Sequence, residues 1–445
     1  MQKIKPLAWR KVFESLWTDL FSSPVHLDSA LSRLPKDLKP ILSPVLSKIL
    51  IRPASEARLA RVRIPAGEPW SLRSPDSPGM ISATWVSQVA ERLIQNQETP
   101  SFSAHRLPKV PGKSESNELI DAGIEDFPPE MVSEWEQTWG AERVMDLAQL
   151  LTQEPPLTLR ASWNADLKGL RTELEDHLER SGIEITPYIL PRVPRGIGLS
   201  GYAPVLGSDA FKRGDFEIQD EGSQLMSAFA LNPQAFSKFL SAEPGTPSEG
   251  ISDLTGGEAS AVVFPKAPTV IDTCAGAGGK SLAMGDLLRG RGRVYSYDVS
   301  EKKLQALRRR ASRAGLRNIQ TACVIEGEEH LVVNKFSARA DIVLVDAPCS
   351  GWGVLRRNPD IKWRQTRAEL ERLPKVQERL LVAYAPLVKK GGRLVFGVCT
   401  FRKQETLDVV ESFLRNHPEY KEGLGGFFGP GPSDGFYMKE LVRAL

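Results

Sequence analysis

Residues 341–349 read Asp-Ile-Val-Leu-Val-Asp-Ala-Pro-Cys, and this stretch decides the fold class of the chain. Its short run of aliphatic residues is typical of a strand that is buried on both faces of a parallel sheet. An acid, a proline and a thiol follow where the strand ends, from Asp346 to Cys349. In open α/β sheets this carboxyl edge binds ligands. Taken alone, a loop with an incidental cysteine explains the motif equally well.

The residues around this stretch alternate between strand and helix patterns from Thr269 onward. Such repeated units predict an α/β fold with a doubly wound, Rossmann-like parallel sheet. The predicted strands are 270–272, 294–298, 321–325, 341–346 and 393–398, and the predicted helices are 280–289, 301–314 and 367–387.

Three domains are predicted from composition and periodicity. Residues 1–120 form a helical N-terminal region that ends in a Pro/Gly/Ser-rich linker. Residues 121–205 form a small α/β domain, with a strand at 157–161, a helix at 166–181 and a second strand at 183–189. Residues 206–445 form the Rossmann-like domain, which includes a patternless insertion at 233–268.

Overall charge and cysteine content limit the classes of function. The chain has 58 Lys and Arg against 55 Asp and Glu, so any nucleic-acid surface must be local. Its cysteines lack C-x-x-C spacing, which argues against a disulfide framework and against a metal site. No apolar run of ~18 residues predicts a membrane span. We therefore expect a cytoplasmic protein, a monomer with no metal and no membrane partner.

A glycine-rich turn and an acid predict a cofactor site. Gly276 and Gly278 match the first two glycines of a dinucleotide fingerprint, but Ser281 stands at the third position. Asp298 ends the next predicted strand, about 20 residues on, where an acid binds ribose hydroxyls. The pair predicts an adenosine-containing cofactor, with a nicotinamide nucleotide and S-adenosylmethionine both allowed. A tight turn with a capping acid is the structural alternative.

Two thiols end neighbouring predicted strands, Cys349 after one and Cys399 after the next. Hydride transfer does not need such a pair, whereas methylation of a pyrimidine carbon does. Cytosine C5 is a poor nucleophile until a thiolate adds to C6, and a base must later remove the C5 proton. Asp346 could then hydrogen-bond N3 of the base and stabilise the adduct. Alternatively, both cysteines are small core residues.

The motifs together resemble the RsmB/Nop2/Sun family of RNA cytosine-5 methyltransferases. The resemblance runs from about residue 128 to the end of the chain. It rests on the segments 272–280, 298–300, 346–353, 356–363 and 399–405, and it extends to 156–160, 219–224 and 434–438. The chain departs from the family at Gly276-Ala277, where Ala-Pro is usual, at Val398, where a Thr is usual before the nucleophile, and in the length of the 233–268 insertion.

The resemblance implies a role for each motif residue. Cys399 is the nucleophile, Cys349 assists release of the methylated base, and Asp346 and Lys280 lie beside that base. S-adenosylmethionine is held by Cys274, Ala275, Gly276, Ala277, Gly278, Gly279, Lys280, Asp298 and Asp346, with Glu326 as the acid expected to meet adenine. The 121–205 domain resembles the family's small RNA-binding domain, and residues 1–120 are faintly similar to the NusB-like domain of bacterial ribosomal-RNA members.

The predicted partner is an RNA substrate, with ribosomal RNA favoured over transfer RNA. Basic and aromatic residues suit phosphate contacts and base stacking. The predicted RNA contacts are Arg160, Arg356, Arg357, Lys362 and Trp363, whereas the basic run 302–317 is interpreted as a solvated helix face. Two further hypotheses are an amino-group methyltransferase and a non-catalytic RNA-binding assembly factor with the same fold.

Overall fold

The structure is a computed structural model that describes Ala90 and residues 124–201, 203–245, 266–431 and 433–445. The predicted helical region 1–120, with its linker, and most of the 233–268 insertion lie outside these residues. The chain divides into two compact units. One comprises residues 1–154 and 350–372, and the other comprises residues 155–349 and 373–445. Across the described ranges, none of the helices combines the length and apolar character needed to cross a bilayer.

Two short helices and the segment 350–372 make up the described part of the first unit. Helices α1 (Pro129–Trp139) and α2 (Ala141–Thr152) are separated by Gly140, whose φ of 82° favours glycine. Pro129 and Glu130 suit the first turn of α1. Trp135 packs edge-on against Phe127 and Trp352, with ring centroids 5.1 and 5.9 Å apart. Helix α10 (Ile361–Arg364) lies in the same segment.

The second unit begins with a four-stranded antiparallel sheet. Its strands are β1 (Leu157–Ala161), β2 (Tyr188–Leu190), β3 (Gly196–Leu199) and β4 (Phe216–Ile218), in the order β2-β3-β1-β4. Helix α3 (Leu167–Arg180) packs on the sheet through leucines spaced four residues apart, and Asp166 caps its amino end as the pattern predicts. Strand β4 lies beyond the predicted domain boundary at residue 205. The predicted strand 183–189 forms only from Tyr188 onward.

A seven-stranded sheet forms the rest of this unit. Its strands are β5 (Thr269–Asp272), β6 (Arg293–Asp298), β7 (Ile319–Cys323), β8 (Ala340–Asp346), β9 (Val388–Val398), β10 (Tyr420–Phe428) and β11 (Phe436–Arg443). The order is β10-β11-β9-β8-β5-β6-β7. Strands β5 to β9 pair in parallel, so the predicted doubly wound α/β fold is confirmed. Strands β10 and β11 are antiparallel additions, which a glycine-rich, polar sequence did not predict.

Helices cover the seven-stranded sheet and connect its parallel strands. They are α5 (Glu221–Leu231), α6 (Pro233–Phe236), α7 (Gly279–Leu287), α8 (Glu301–Arg313), α9 (His330–Phe336), α11 (Arg367–Tyr384) and α12 (Leu407–Asn416). Parallel pairing requires such crossovers. Helix α4 (Asp209–Arg213) packs instead against α3 and β4 of the four-stranded sheet. Helices α7 and α8 begin within one residue of their predicted starts. Helix α9 was not predicted because it is short.

Candidate active site

Four neighbouring strands bring the predicted site residues to one edge of the sheet. Strands β6, β5, β8 and β9 are adjacent and end at Asp298, Asp272, Asp346 and Val398. Asp346 stands opposite Gly397 in the parallel register, and the Ala347 N–H donates to the Gly397 carbonyl at 2.9 Å. The loops that follow β8 and β9 therefore start side by side, although they lie about 50 residues apart in the chain.

The two predicted thiols meet at this edge. The sulfur atoms of Cys349 and Cys399 are 3.3 Å apart, and both residues are half-buried. A disulfide bond would bring the sulfurs to about 2.05 Å, so these are two reduced thiols in hydrogen-bond contact. A single ring placed beside the pair can therefore be reached by both. Sequence reasoning predicted neighbouring strand ends, and the structure adds the sulfur contact.

Lys280 and Asp346 form a largely buried ion pair next to the thiols, with Nζ and Oδ2 2.6 Å apart. Burial alone would lower the pKa of Lys280, but the charge and hydrogen bond of Asp346, and weaker attraction to Cys399 and Asp272, raise it overall. The ammonium group also lies 5.7 Å from the ring centroid of Phe436 at the start of β11. The site therefore holds a permanent positive charge near Cys399.

The glycine turn between β5 and α7 has room for a cofactor. Gly276 and Gly278 have φ of 55° and 93°, conformations that favour glycine. A Cβ on Gly276 would meet nothing within 4 Å, whereas one on Gly278 would lie 2.3 Å from Leu307. The Gly276 N–H donates to Asp298 Oδ2 at 2.8 Å, and the Ser300 N–H donates to Oδ1 at 2.8 Å. Asp298 thus fixes the turn, and its two carboxylate oxygens keep lone pairs for further hydrogen bonds.

The rest of the predicted cofactor segment lines the same turn. Ala275 donates its N–H to the Tyr297 carbonyl at 2.8 Å, and the Ala277 carbonyl accepts from Arg310 Nη1 at 2.7 Å. Burial, and secondarily the charge of Asp272, raises the pKa of Cys274, so its thiol stays protonated. Gly279 begins α7, and the first N–H groups of a helix are suited to an anionic or polar ligand group.

A buried polar chain lies beneath the turn. Asp272 Oδ2 accepts a hydrogen bond from Ser281 Oγ at 2.6 Å, and Ser281 Oγ accepts one from Ser296 Oγ at 2.7 Å. Burial raises the pKa of Asp272 to about 7, assisted by the charge of Asp346 and opposed by the Ser281 hydrogen bond. The chain links β5, α7 and β6 below the candidate cofactor site.

Glu326 lies three residues after β7 and is 71% exposed. It forms an ion pair with Arg379, whose Nη2 is 3.3 Å from Oε1. The same guanidinium donates to the more buried Glu329 at 2.7 Å. The structure therefore gives Glu326 a surface ion pair, and its predicted contact with adenine stays a prediction.

Three of the five predicted RNA contacts are buried. Arg160 donates to Gln219 Oε1 at 2.9 Å and to Asp286 Oδ2 at 2.6 Å. Lys362 is 1% exposed, donates to the Asp126 carbonyl at 2.9 Å, and has its pKa lowered by burial to about 7. Arg356 is also buried. Because buried side chains cannot meet phosphates, these three residues are not among the proposed RNA contacts.

Of the remaining two predicted RNA contacts, the structure describes the side chain of one. Arg357 is half-buried, so part of its side chain faces solvent. The Trp363 side chain lies outside the described residues. In the basic run 302–317, Arg310 and Arg313 form ion pairs with the buried Glu217. These two arginines hold the fold together through ion pairs, so the interpretation of the whole run as a solvated helix face was incomplete.

Sequence reasoning missed two buried ionic contacts around the site. Arg192 donates Nε and Nη2 to the two carboxylate oxygens of Glu221, at 2.9 and 2.6 Å. Glu405 accepts from Arg402 at 3.0 Å and from Gln377 at 2.9 Å. Glu221 and Glu405 both belong to motifs recognised in the sequence, so the signal was present. The hydrogen-bond partners of these two acids could not be predicted from the motifs, because most of the partners lie on other elements.

Comparison with known proteins indicates the same class of enzyme as the sequence motifs. Residues 263–427 match the family described as "16S rRNA methyltransferase RsmB/F". The chain is 32% identical over 344 residues to "Probable ribosomal RNA small subunit methyltransferase B" of Bacillus subtilis (strain 168), covering 77% of this chain and 65% of that protein. A Synechocystis sp. protein of the same name is 32% identical over 297 residues, covering 66% of this chain and 58% of its own length. The chain thus spans less than two thirds of either relative.

A solved structure of a protein named PH0851 shares the fold, with a TM-score of 0.66, 18% identity and 99% of each chain covered. The methyltransferase match supports S-adenosylmethionine, which the glycine turn and Asp298 allowed and which the family resemblance implied. The resemblance to the RsmB/Nop2/Sun family is confirmed, because residues 263–427 match the RsmB/F family of methyltransferases and the chain is similar to the relatives above.

Proposed function

We propose that this protein is an S-adenosylmethionine-dependent RNA cytosine-5 methyltransferase that acts on ribosomal RNA. The observation that carries the proposal is the 3.3 Å contact between Cys349 and Cys399, beside the Lys280–Asp346 ion pair. Two thiols within reach of one ring suit covalent activation of a pyrimidine carbon, and no simpler transfer needs both. The names of the relatives support ribosomal RNA as the substrate.

The proposed reaction uses the two thiols at different times. The Cys399 thiolate adds to C6 of cytosine, forming a carbon–sulfur bond and moving an electron pair onto C5. When bound, S-adenosylmethionine supplies the methyl group from a sulfonium centre. Cys349 then assists removal of the C5 proton, and the returning electron pair breaks the C6–sulfur bond. The base is released as 5-methylcytosine, and Cys399 is regenerated as a thiolate.

The ion pair has two roles in this proposal. The Lys280 ammonium group lies close enough to Cys399 for mutual attraction, so it favours the thiolate that must attack. Asp346, held by Lys280 at 2.6 Å, accepts a hydrogen bond from N3 of the base once N3 is protonated in the adduct, and so stabilises the protonated adduct. Both groups stand on rigid elements, α7 and the end of β8.

The cofactor and RNA sites are proposed on the same basis. Residues 274–280 and Asp298 would hold S-adenosylmethionine, with Glu326 nearest its adenine. Arg357 and Trp363 would meet the RNA, and the 121–205 domain would also bind RNA, while the Rossmann-like domain of 206–445 performs the transfer. The cytoplasmic location and the monomeric state stay predictions.

The proposal is tested by separating the two thiols. Cys399→Ala cannot form the adduct, so it neither methylates nor captures RNA. Cys349→Ala still attacks and transfers the methyl group but cannot complete release, so enzyme and RNA stay joined. Denaturing gel electrophoresis after incubation with small-subunit ribosomal RNA and cofactor should show a slow, RNase-sensitive band for Cys349→Ala alone. Cys323→Ala is the control, because this exposed cysteine lies outside the thiol pair.

Each other outcome contradicts a stated part of the proposal. A slow band for Cys399→Ala and none for Cys349→Ala would exchange the two roles. Full turnover by both variants would exclude the covalent mechanism. Product analysis that finds N4-methylcytosine would indicate an amino-group methyltransferase, and absence of S-adenosylmethionine binding by calorimetry would indicate a non-catalytic assembly factor.

A further inference from the structure

A polar groove of about 510 Å³ lies in the second unit, away from the thiols. It is lined by residues after β1, in the last turn of α7, in the turns after α7 and α8, and at the amino ends of β6 and β7, so we name it the amino-edge groove. The residues on which the inference rests are Trp163, Asp286, Arg289, Arg293 and Arg317. Because the thiols follow the carboxyl ends of parallel strands, the groove is at the opposite edge of the sheet.

The amino-edge groove carries unpaired positive charge. Arg289, Arg293 and Arg317 are exposed, and none of them has an acidic partner within the described ranges. The acid that lines the groove, Asp286, is buried and already accepts hydrogen bonds from Arg160 Nη1 and from the Trp163 backbone N–H. Three cations therefore face the groove without local neutralisation, which favours an anionic ligand.

Helix ends explain only part of this arrangement. Arg289 follows α7 and Arg317 follows α8, and cations near helix carboxyl ends are stabilising. That effect does not apply to Arg293, which is the first residue of β6. It also does not account for the aromatic ring in the groove. The arrangement therefore requires a reason beyond helix stability.

Trp163 and Arg289 form a stacked pair in the groove. The guanidinium carbon lies 3.6 Å from the indole centroid, as expected for a group that lies flat on the ring. Arg289 has φ of 51°, an unfavourable backbone conformation for a side chain of this size. The backbone of Trp163 is held by Asp286, whose Oδ1 accepts the main-chain N–H at 3.0 Å. The stacked pair is thus present without a ligand.

We propose that the amino-edge groove binds a segment of the RNA substrate remote from the target cytosine. Phosphates would meet Arg293 and Arg317, and an unpaired base would stack on the Trp163–Arg289 pair, the combination that suits single-stranded RNA. This inference rests on the proposed function. A six-residue strand spans ~20 Å at about 3.3 Å per residue, so the contact lies outside the target nucleotide.

The test is RNA binding by a double variant, Arg293→Ala with Arg317→Ala. A transcript of small-subunit ribosomal RNA is titrated over a range of salt concentrations. We expect weaker binding, and the plot of log Kd against log salt should become shallower by about 0.7 for each phosphate of a single strand that the variant no longer binds. S-adenosylmethionine affinity, measured by calorimetry, should stay unchanged. The matched control is Arg415→Ala with Lys421→Ala, which removes two exposed cations on α12 and β10 at the other side of the sheet.

Three results would overturn the inference, and they can be distinguished from one another. If the wild-type protein binds the transcript and both double variants keep its affinity and salt slope, the amino-edge groove is not an RNA site, while the proposed function stands. If the wild-type protein binds no RNA, the inference fails together with the proposed function. Equally weakened binding by the two double variants would also overturn it, because net charge alone would then explain the effect.

Discussion

At the scale of single residues, Lys280 supplies the fixed charge of the candidate active site. Its raised pKa keeps the ammonium group protonated through neutral pH, next to both Asp346 and Cys399. Lys280→Met removes the charge with little change in side-chain length. We expect the rate of methylation to fall by about 10²–10³, the range for removal of one electrostatic group. The acid limb of the pH–rate profile should move to higher pH, because the thiolate no longer has a neighbouring cation.

The change in the pH profile separates a chemical role from a packing role. Lys280→Arg keeps the charge and should restore the position of the acid limb, even if the rate recovers only in part. Lys212→Met is the control, because that lysine is exposed and pairs with Asp209 on α4, away from the thiols. An unmoved profile in Lys280→Met would show that Lys280 only positions Asp346.

At the scale of secondary-structure elements, the buried chain Asp272–Ser281–Ser296 couples pH to stability. Asp272 has a pKa of about 7 in the folded protein, against about 3.9 in an unfolded chain. Between these values the folded state holds a proton that the unfolded state has released. Stability therefore falls as pH rises from about 4 to 7, by up to about 1.4 kcal/mol per unit of pKa difference.

Asp272→Asn should remove this dependence, because the amide oxygen still accepts from Ser281 and no charge is buried. Its melting temperature, relative to wild type, should be higher at pH 8 than at pH 5. Asp176→Asn, which changes a carboxyl on α3 outside this buried chain, should follow wild type at both values. If the melting temperatures of both variants changed equally relative to wild type, the pH dependence would come from groups other than Asp272.

At the scale of the whole molecule, Arg160 and Asp286 connect β1 of the four-stranded sheet to α7, across 126 residues of sequence. Both side chains are buried, at 5% and 6% exposure. Arg160→Leu leaves the buried Asp286 carboxylate with the Trp163 N–H as its main remaining partner and should destabilise the protein by about 3–5 kcal/mol. Urea unfolding followed by tryptophan fluorescence measures the change.

The double variant Arg160→Leu with Asp286→Leu tests whether the destabilisation comes from the buried Asp286 charge that has lost its arginine partner. It should recover most of the stability, because two apolar side chains can replace a buried ion pair. Arg415→Ala breaks an exposed pair with Glu411 and should have a small effect. Equal destabilisation by the single and double variants would assign the effect to packing.

The amino-acid sequence by itself determined the parallel core and the ends of its strands. Apolar runs such as 341–346 report burial on both faces, and the motifs at strand ends report which residues share the carboxyl edge. Local signals were sufficient there, because a parallel strand and the turn after it are specified within about ten residues. The glycine turn, Asp298 and both thiols were predicted on that basis. Helix α3 was predicted to within one residue, because Asp166 and the leucine spacing are local too.

Only the tertiary structure decided which polar residues are buried. Arg160 and Lys362 were predicted to face RNA, yet each is buried against a group more than 100 residues away in the chain. The amino-edge groove likewise combines segments near 163, 289 and 317. Periodicity tells on which side of its own element a residue lies. It does not tell which group of another element lies opposite that residue. For a long charged side chain, this opposite group determines whether the charge is buried in an ion pair or left exposed for a ligand.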